Sequence, residues 1–151
     1  MKKFSHIDDG GEAKMVDVSN KPPMRREAIA RGEIQMAPAT LSAIEKDRIM
    51  KGNVFATARI AGIMAAKQTA GLIPLCHPIS LTHCSVDFTV PAAHDRVVIT
   101  ACARTMAETG VEMEALTAVT MAALTIYDMC KAVDSTMQVM NVRLVSKLKT
   151  E

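Results

Sequence analysis

The chain has no tryptophan, one tyrosine and three phenylalanines in 151 residues, against twelve methionines. With rings almost absent, a core must be filled by aliphatic side chains and flexible thioethers. The same scarcity leaves little to stack on bases. The formal charge of +2 is spread along the chain, without the basic run or stripe that nucleic-acid binders gather. An RNA-binding module is disfavoured on both counts. There is no Cys-x-x-Cys pair either: Cys76, Cys84, Cys102 and Cys130 stand 8, 18 and 28 residues apart, which fits neither a zinc or redox motif nor a compact secreted framework. They read as reduced core thiols. The first eleven residues carry charges throughout and hold no apolar signal region, so the expected location is the cytoplasm.

What is present suits an ordinary globular protein, with 49% hydrophobic and 23% charged residues. A chain of this length is the size of one domain and buries roughly two thirds of its unfolded surface. A single domain over 1–151 is expected, with 1–11, containing Gly10-Gly11, as a mobile leader.

Residues 15–18 (Met-Val-Asp-Val) suggest a short strand, ended by Lys21-Pro22-Pro23. From Arg26 to Met36, Ala28, Ala30, Ile34 and Met36 alternate with Glu27, Arg31, Glu33 and Gln35, the period of a half-buried strand. A helix is predicted over 37–50, opening near Pro38, where a missing N–H costs nothing. Gly52-Asn53 then breaks the chain and caps a second helix over 54–69. On that helix Ala58, Ala61, Gly62, Ala65 and Ala66 form a small-residue face that lets another backbone approach. Alternation returns with Val86, Phe88 and Val90 and, after a hairpin loop at 91–95, with Val97, Ile99, Ala101 and Ala103. A long helix over 111–132 and a strand over 138–148, with Met140, Val142 and Leu144 on one face, complete the chain.

From Arg26 onward the order is strand, helices, strand, strand, helix, strand. That is the split βαβ pattern of an α+β, ferredoxin-like antiparallel sheet with helices packed on one face. A swivelling sandwich of separate halves is the less economical alternative. The long helix has no charge between Glu114 and Asp128. One stripe holds Leu116, Val119, Ala123, Ile126 and Cys130; a second holds Met121 and Leu124 and continues into Asp128 and Lys131. Such a helix is buried on both sides, yet its uncharged stretch is too short for a bilayer. No membrane is expected; the second stripe is expected to meet another subunit of a closed homo-oligomer.

Four groups of residues could carry chemistry. Leu75-Cys76-His77-Pro78 is a proline-bounded Cys-His loop. Neighbouring side chains of an extended segment diverge and no second ligand pair sits at helical spacing, so no metal is expected there. It reads either as a buried thiol beside a hydrogen-bonded histidine or as a loop whose His77 holds a substrate's polar edge. Asp128 and Lys131, one helical turn apart, read either as a surface ion pair or, because they continue an apolar stripe, as a desolvated pair. Desolvation beside other cations disfavours an ammonium and brings a lysine into range as an acid or base. Glu112 and Glu114 complement the dipole at the helix start, or accept the paired N–H donors of a guanine-like ring. Lys21, Arg26, Lys51 and Lys67 are either solvated charges or, if they converge, a triphosphate site.

Three segments, KGNVFATARIAGIMAAKQT (51–69), LIPLCHPI (72–79) and TGVEMEALTAVTMAALTIYDMCKA (109–132), resemble the signature blocks of the MoaC family, the cyclic pyranopterin monophosphate synthases of molybdenum cofactor biosynthesis. The leader HIDDGGEAKMVDVS and the RREAIARGEIQM strand also fit, so the resemblance covers nearly the whole chain. It implies a ferredoxin-like fold assembled as a hexamer, a trimer of dimers, with active sites at subunit interfaces. It further implies a phosphorus–oxygen lyase. The substrate is a cyclised dihydro-GTP made by a radical SAM enzyme; the products are cyclic pyranopterin monophosphate and pyrophosphate. No redox cofactor is implied, and nothing in the sequence calls for the divalent ion that can accompany pyrophosphate. Carried over by motif, Lys51, Asp128 and Lys131 are catalytic, and Leu75, Cys76, His77, Met113, Glu114, Glu112, Arg26, Lys21 and Lys67 contact substrate. The sequence departs from the family pattern at 145–151 (VSKLKTE), where the Gly-Gly-Lys-Ser-Gly tail is replaced and Lys147 and Lys149 are the available cations, and at the proline-rich 21–23. The contrasting reading is a non-catalytic, oligomeric nucleotide- or pterin-binding regulator.

Overall fold

Ala28, Ala30, Ile34 and Met36 face inward between charged neighbours, and this two-residue period builds β1 (Met24–Gln35) in the computed structural model, which describes residues 6–8 and 10–150. With β2 (Leu81–Thr89), β3 (Arg96–Ala107) and β4 (Gln138–Thr150) it forms a four-stranded antiparallel sheet in the order β2-β3-β1-β4. Helices α1 (Pro38–Glu45), α2 (Val54–Lys67) and α4 (Glu112–Cys130) bury their apolar sides on one face of the sheet, and α3 (Thr69–Leu72) is a single turn after α2. This is the ferredoxin-like, α+β arrangement that the element order implied.

The core is aliphatic. Ile34, Leu41, Val86, Val97, Ile99, Val119 and Ile126 are among its fully buried members. Their burial removes apolar surface from water at about 25 cal/mol per Å², the dominant favourable term. The small-residue face of α2 works as expected: Ala58, Gly62, Ala65 and Ala66 are buried, with Ala61 at the margin. At Gly62 an added Cβ would lie 2.8 Å from the Ala118 carbonyl oxygen, so α2 and α4 meet there backbone to backbone.

Several boundaries differ from the sequence expectation. Residues 15–18 pair with no strand; the described part of the leader instead closes a turn in which Asp8 Oδ1 accepts from the N–H groups of Gly10 and Glu12. Residues 1–5 and 9, also part of that leader, lie outside the described residues. Helix α1 stops at Glu45 rather than near 50. Asp47, with φ 50°, turns the chain into the left-handed region. The N–H groups of Arg48 and Asp47 return to the carbonyls of Ala43 and Ile44 at 2.8 and 3.1 Å, the paired bonds of a Schellman stop. In β4 the inward residues are Val139, Val142 and Leu144, whereas Met140 shares the open face with Glu33. The cause is a bulge at Asn141, φ 55°, which sets two residues opposite Gly32 and inverts the alternation. Of the four free thiols, Cys130 is core, Cys84 packs against the core, Cys102 pairs with Ser85 and Ile29 on the open face, and Cys76 lies in a loop hollow.

Candidate active site

Lys51 is delivered by a loop built for rigidity. Asn53 Oδ1 caps α2 by accepting from the Ala56 N–H at 2.8 Å, while Asn53 Nδ2 donates to Asp47 Oδ1 at 3.0 Å. Ile49 anchors the loop in the core, and Gly52 makes the turn at φ 102°. The Lys51 ammonium thereby reaches the last turn of α4, donating to the Asp128 carbonyl at 2.8 Å and to Asp128 Oδ2 at 3.1 Å. Carbonyls of a last turn lack intrahelical partners and carry the negative end of the dipole, so a cation is favoured there. Lys131, the C-cap, places its own ammonium 2.7 Å from Asp128 Oδ1. One carboxylate thus holds two ammonium groups, one on each oxygen.

These side chains are half exposed in the single chain, at 47% for Lys51, 59% for Asp128 and 56% for Lys131. The expectation of a desolvated lysine with a disfavoured ammonium is therefore corrected. The Asp128 carboxylate at hydrogen-bond distance outweighs burial and holds the Lys131 pKa above its ordinary value. In turn Lys131, and then Lys51, hold the Asp128 carboxyl below the usual carboxylate range. At neutral pH Asp128 is an anion and Lys131 a proton donor.

A second constellation surrounds the start of α4. A hollow of about 450 Å³ is lined by Leu75, Cys76, His77, Met113, Glu114 and Glu112, joined by Lys21 and by His6, Val16 and Val18 of the N-terminal segment. His77 Nε2 lies 2.7 Å from the Val16 carbonyl, which can only accept, so that nitrogen donates the hydrogen bond. Glu114 is only 3% exposed, and burial raises its carboxyl pKa. The Cys76 thiol is also pushed up, first by burial and then by the Glu114 charge, which makes it a polar wall and a poor nucleophile.

Two smaller hollows adjoin this one. Glu114 also lines the first, beside Lys67 at the end of α2. The second, of about 290 Å³, lies between Arg26, Lys147, Lys149 and Glu112. Arg26 is fixed by donating to the carbonyls of Ala107 and Glu108 at 3.4 and 3.1 Å, and Lys147 pairs with Glu112 at 3.1 Å. Cations from β1, β4, α2 and the 19–23 loop therefore border the start of α4. Among the described residues no three His, Cys, Asp or Glu side chains gather as a metal's ligand set.

A model of the MoaC family matches residues 15–150. The chain belongs to the MoaC family. Its relatives include the cyclic pyranopterin monophosphate synthase of Chloroflexus aggregans, 59% identical over 145 residues that cover 96% of this chain and 88% of the relative. The proteins of that name from Roseiflexus sp. and Pelotomaculum thermopropionicum are each 56% identical over 147 residues, covering 97% of this chain and respectively 93% and 86% of their own lengths. The family match over 15–150 contains the blocks 51–69, 72–79 and 109–132 read from the sequence.

In this MoaC chain the site residues fall into two groups at opposite ends of α4. Glu114 and Asp128 are fourteen residues apart, a rise of about 21 Å along the axis. Lys51, Asp128 and Lys131 come together at one end, and the other nine candidates border the hollows at the other. Sequence reasoning missed His6 and Val16, which sit on the wall of the large hollow because a carbonyl of the N-terminal segment meets His77. No periodicity or motif signals such a contact.

Proposed function

We propose that this chain is a cyclic pyranopterin monophosphate synthase, a phosphorus–oxygen lyase. It converts a cyclised dihydro-GTP, the product of a radical SAM enzyme, into cyclic pyranopterin monophosphate and pyrophosphate. The observation that carries this reading is the seating of two ammonium groups on the one Asp128 carboxylate, in a chain more than half identical to proteins of that name.

The reaction opens and re-closes a ring and closes a cyclic phosphate as pyrophosphate departs. Each step moves a proton at a defined atom, and positioned acid–base groups typically accelerate such steps by about 10²–10⁴-fold. Lys51 and Lys131 shuttle these protons. Asp128 orients Lys131 and keeps it charged until its proton is needed. Leu75, Cys76, His77, Met113, Glu112 and Glu114 hold the purine-derived ring, and Arg26, Lys21 and Lys67 neutralise the departing pyrophosphate. These groups need no redox cofactor for that work.

Two chains contribute to each site in this reading, in a homohexamer built as a trimer of dimers in the cytoplasm. A substrate the size of a nucleotide cannot touch both ends of α4 in one copy, but the pocket end of one chain can lie against the lysine end of another. Large apolar side chains flank both ends: Met50 at 103% and Val133 at 67% exposure beside the lysines, Leu72 at 52% and Met113 at 37% beside the pocket. Leu124, on the second stripe of α4, is also uncovered. Apolar surface of this kind is what a protomer interface removes from water.

Purified protein incubated with the cyclised dihydro-GTP is expected to release pyrophosphate and form the cyclic phosphate product. Tight binding without turnover would instead favour the non-catalytic nucleotide- or pterin-binding regulator.

A further inference from the structure

Asp134 lies just beyond α4 and belongs to neither constellation. It is 7% exposed, and both of its carboxylate oxygens are used twice. Oδ1 accepts from the Thr136 N–H at 2.9 Å and the Thr136 hydroxyl at 2.7 Å. Oδ2 accepts from the Ala37 N–H at 2.9 Å and the Thr40 hydroxyl at 3.0 Å. The second pair matters because α1 has no side-chain cap of its own; Asp134 supplies one from the far end of the chain. The first pair, with the Asp134 N–H donating to the Cys130 carbonyl at 3.0 Å, closes the turn on which Lys131 is displayed.

One buried carboxylate thus joins two segments. The turn after α4 carries Lys131 and follows Asp128 directly. Helix α1 runs from its Asp134-held start into the loop that presents Lys51. Beyond Asp134 the two segments meet again where Lys51 contacts Asp128.

We propose that Asp134 is a positioning residue: it ties the start of α1 to the turn after α4 and so sets the distances of Lys51 and Lys131 from Asp128. This inference rests on the reading that the Asp128–Lys131 pair does chemistry. Asp134 touches no substrate and moves no proton. Its four bonds satisfy it fully, and those hydrogen bonds, that of Ala37 first, hold its carboxyl down at about 2, so it stays ionised throughout the working range of pH.

The test uses the 151-residue chain and four variants: Asp134→Asn, Thr136→Val, Thr40→Val and Lys131→Ala. Asparagine keeps the shape but loses two of the four acceptor roles, and each valine removes one hydroxyl bond. Steady-state kinetics on the cyclised dihydro-GTP are combined with titration of the Lys131 side chain by ¹³Cε chemical shift. Within one chain the groups facing that ammonium are Asp128, Lys51 and Tyr127; the partner's pocket end adds the same charges in parent and in Asp134 and Thr136 variants alike, so a difference in pKa between them reports the Asp128 contact. For Asp134→Asn and Thr136→Val we expect kcat lower by about 10-fold or more with KM little changed, and a Lys131 pKa moved down toward its ordinary value. Loss of stability alone would lower the active fraction, and with it the apparent kcat, but leave the Lys131 titration where it was. An unshifted Lys131 titration in folded Asp134→Asn, or in Thr136→Val if the asparagine variant does not fold, overturns the inference. Full activity in Lys131→Ala would sink the underlying reading separately, since it does not involve Asp134.

Discussion

Replacing Gly62 by alanine sets two effects of opposite sign against each other. Within a helix, alanine is favoured over glycine by about 0.8–1 kcal/mol. Here, however, the new Cβ would lie 2.8 Å from the Ala118 carbonyl oxygen, 3.1 Å from Val86 Cγ2 and 3.4 Å from Ala122 Cβ. The nearest of these atoms is backbone in the middle of α4 and cannot rotate aside, so the two helices must part. Forcing a methyl group into a packed core costs about 1–3 kcal/mol. The difference leaves the variant less stable by about 1 kcal/mol, which for a chain of this size lowers Tm by about 2–4 °C. Thermal unfolding followed by circular dichroism measures it, with Gly71→Ala as the control, since no atom lies within 4 Å of a Cβ added there. Because Lys51 stands just ahead of α2 and Asp128 lies on α4, parting the helices also stretches their contact, and kcat is expected to fall with stability. A Gly62→Ala protein that melts at or above the parent temperature would refute the close-approach argument.

Asp128→Asn removes the charge that holds the Lys131 ammonium up, so the basic limb of the rate–pH profile, if Lys131 is the acid, moves to lower pH; a limb that stays in place takes that role from Lys131. Glu114→Gln tests a stability–function exchange. A carboxyl whose folded pKa is raised contributes its stability below its unfolded pKa and loses it as pH rises through the folded value. The glutamine variant should therefore melt higher than the parent at neutral pH, by a margin that shrinks on acidification, while its KM rises. An equal melting temperature at all pH values would contradict the burial argument.

The fold was legible in the sequence because its signals are local. The alternation of Ala28, Ala30 and Ile34 and that of Val97, Ile99 and Ala101 mark strands without knowledge of their partners. The small residues of α2 likewise announce a close neighbour. What stayed hidden depends on single backbone angles or on distant contacts. Asp47 ends α1 by entering the left-handed region, and Asn141 does the same within β4, inverting its faces; neither residue breaks a hydrophobic pattern. Asp134 looks like an ordinary turn residue until the start of α1 is seen against it. At the site, the spacing of Asp128 and Lys131 told of their contact, while their exposure did not follow from it: the apolar stripe that runs into them leaves the core before it reaches them. The gathering of Lys51 on Asp128 came from the family resemblance and was beyond any spacing rule.

The proposed mechanism requires two chains to complete one active site, and subunit complementation tests that most directly. Lys131→Ala disables the lysine end of α4 and His77→Ala the pocket end, so each homogeneous variant is expected to be nearly inactive. Co-expressed, they form mixed pairs in which one of the two shared sites carries both intact groups, and random pairing restores about a quarter of the parent activity. If the mixture is no more active than the two variants apart, the sites are not shared between chains, and the proposed mechanism fails with them.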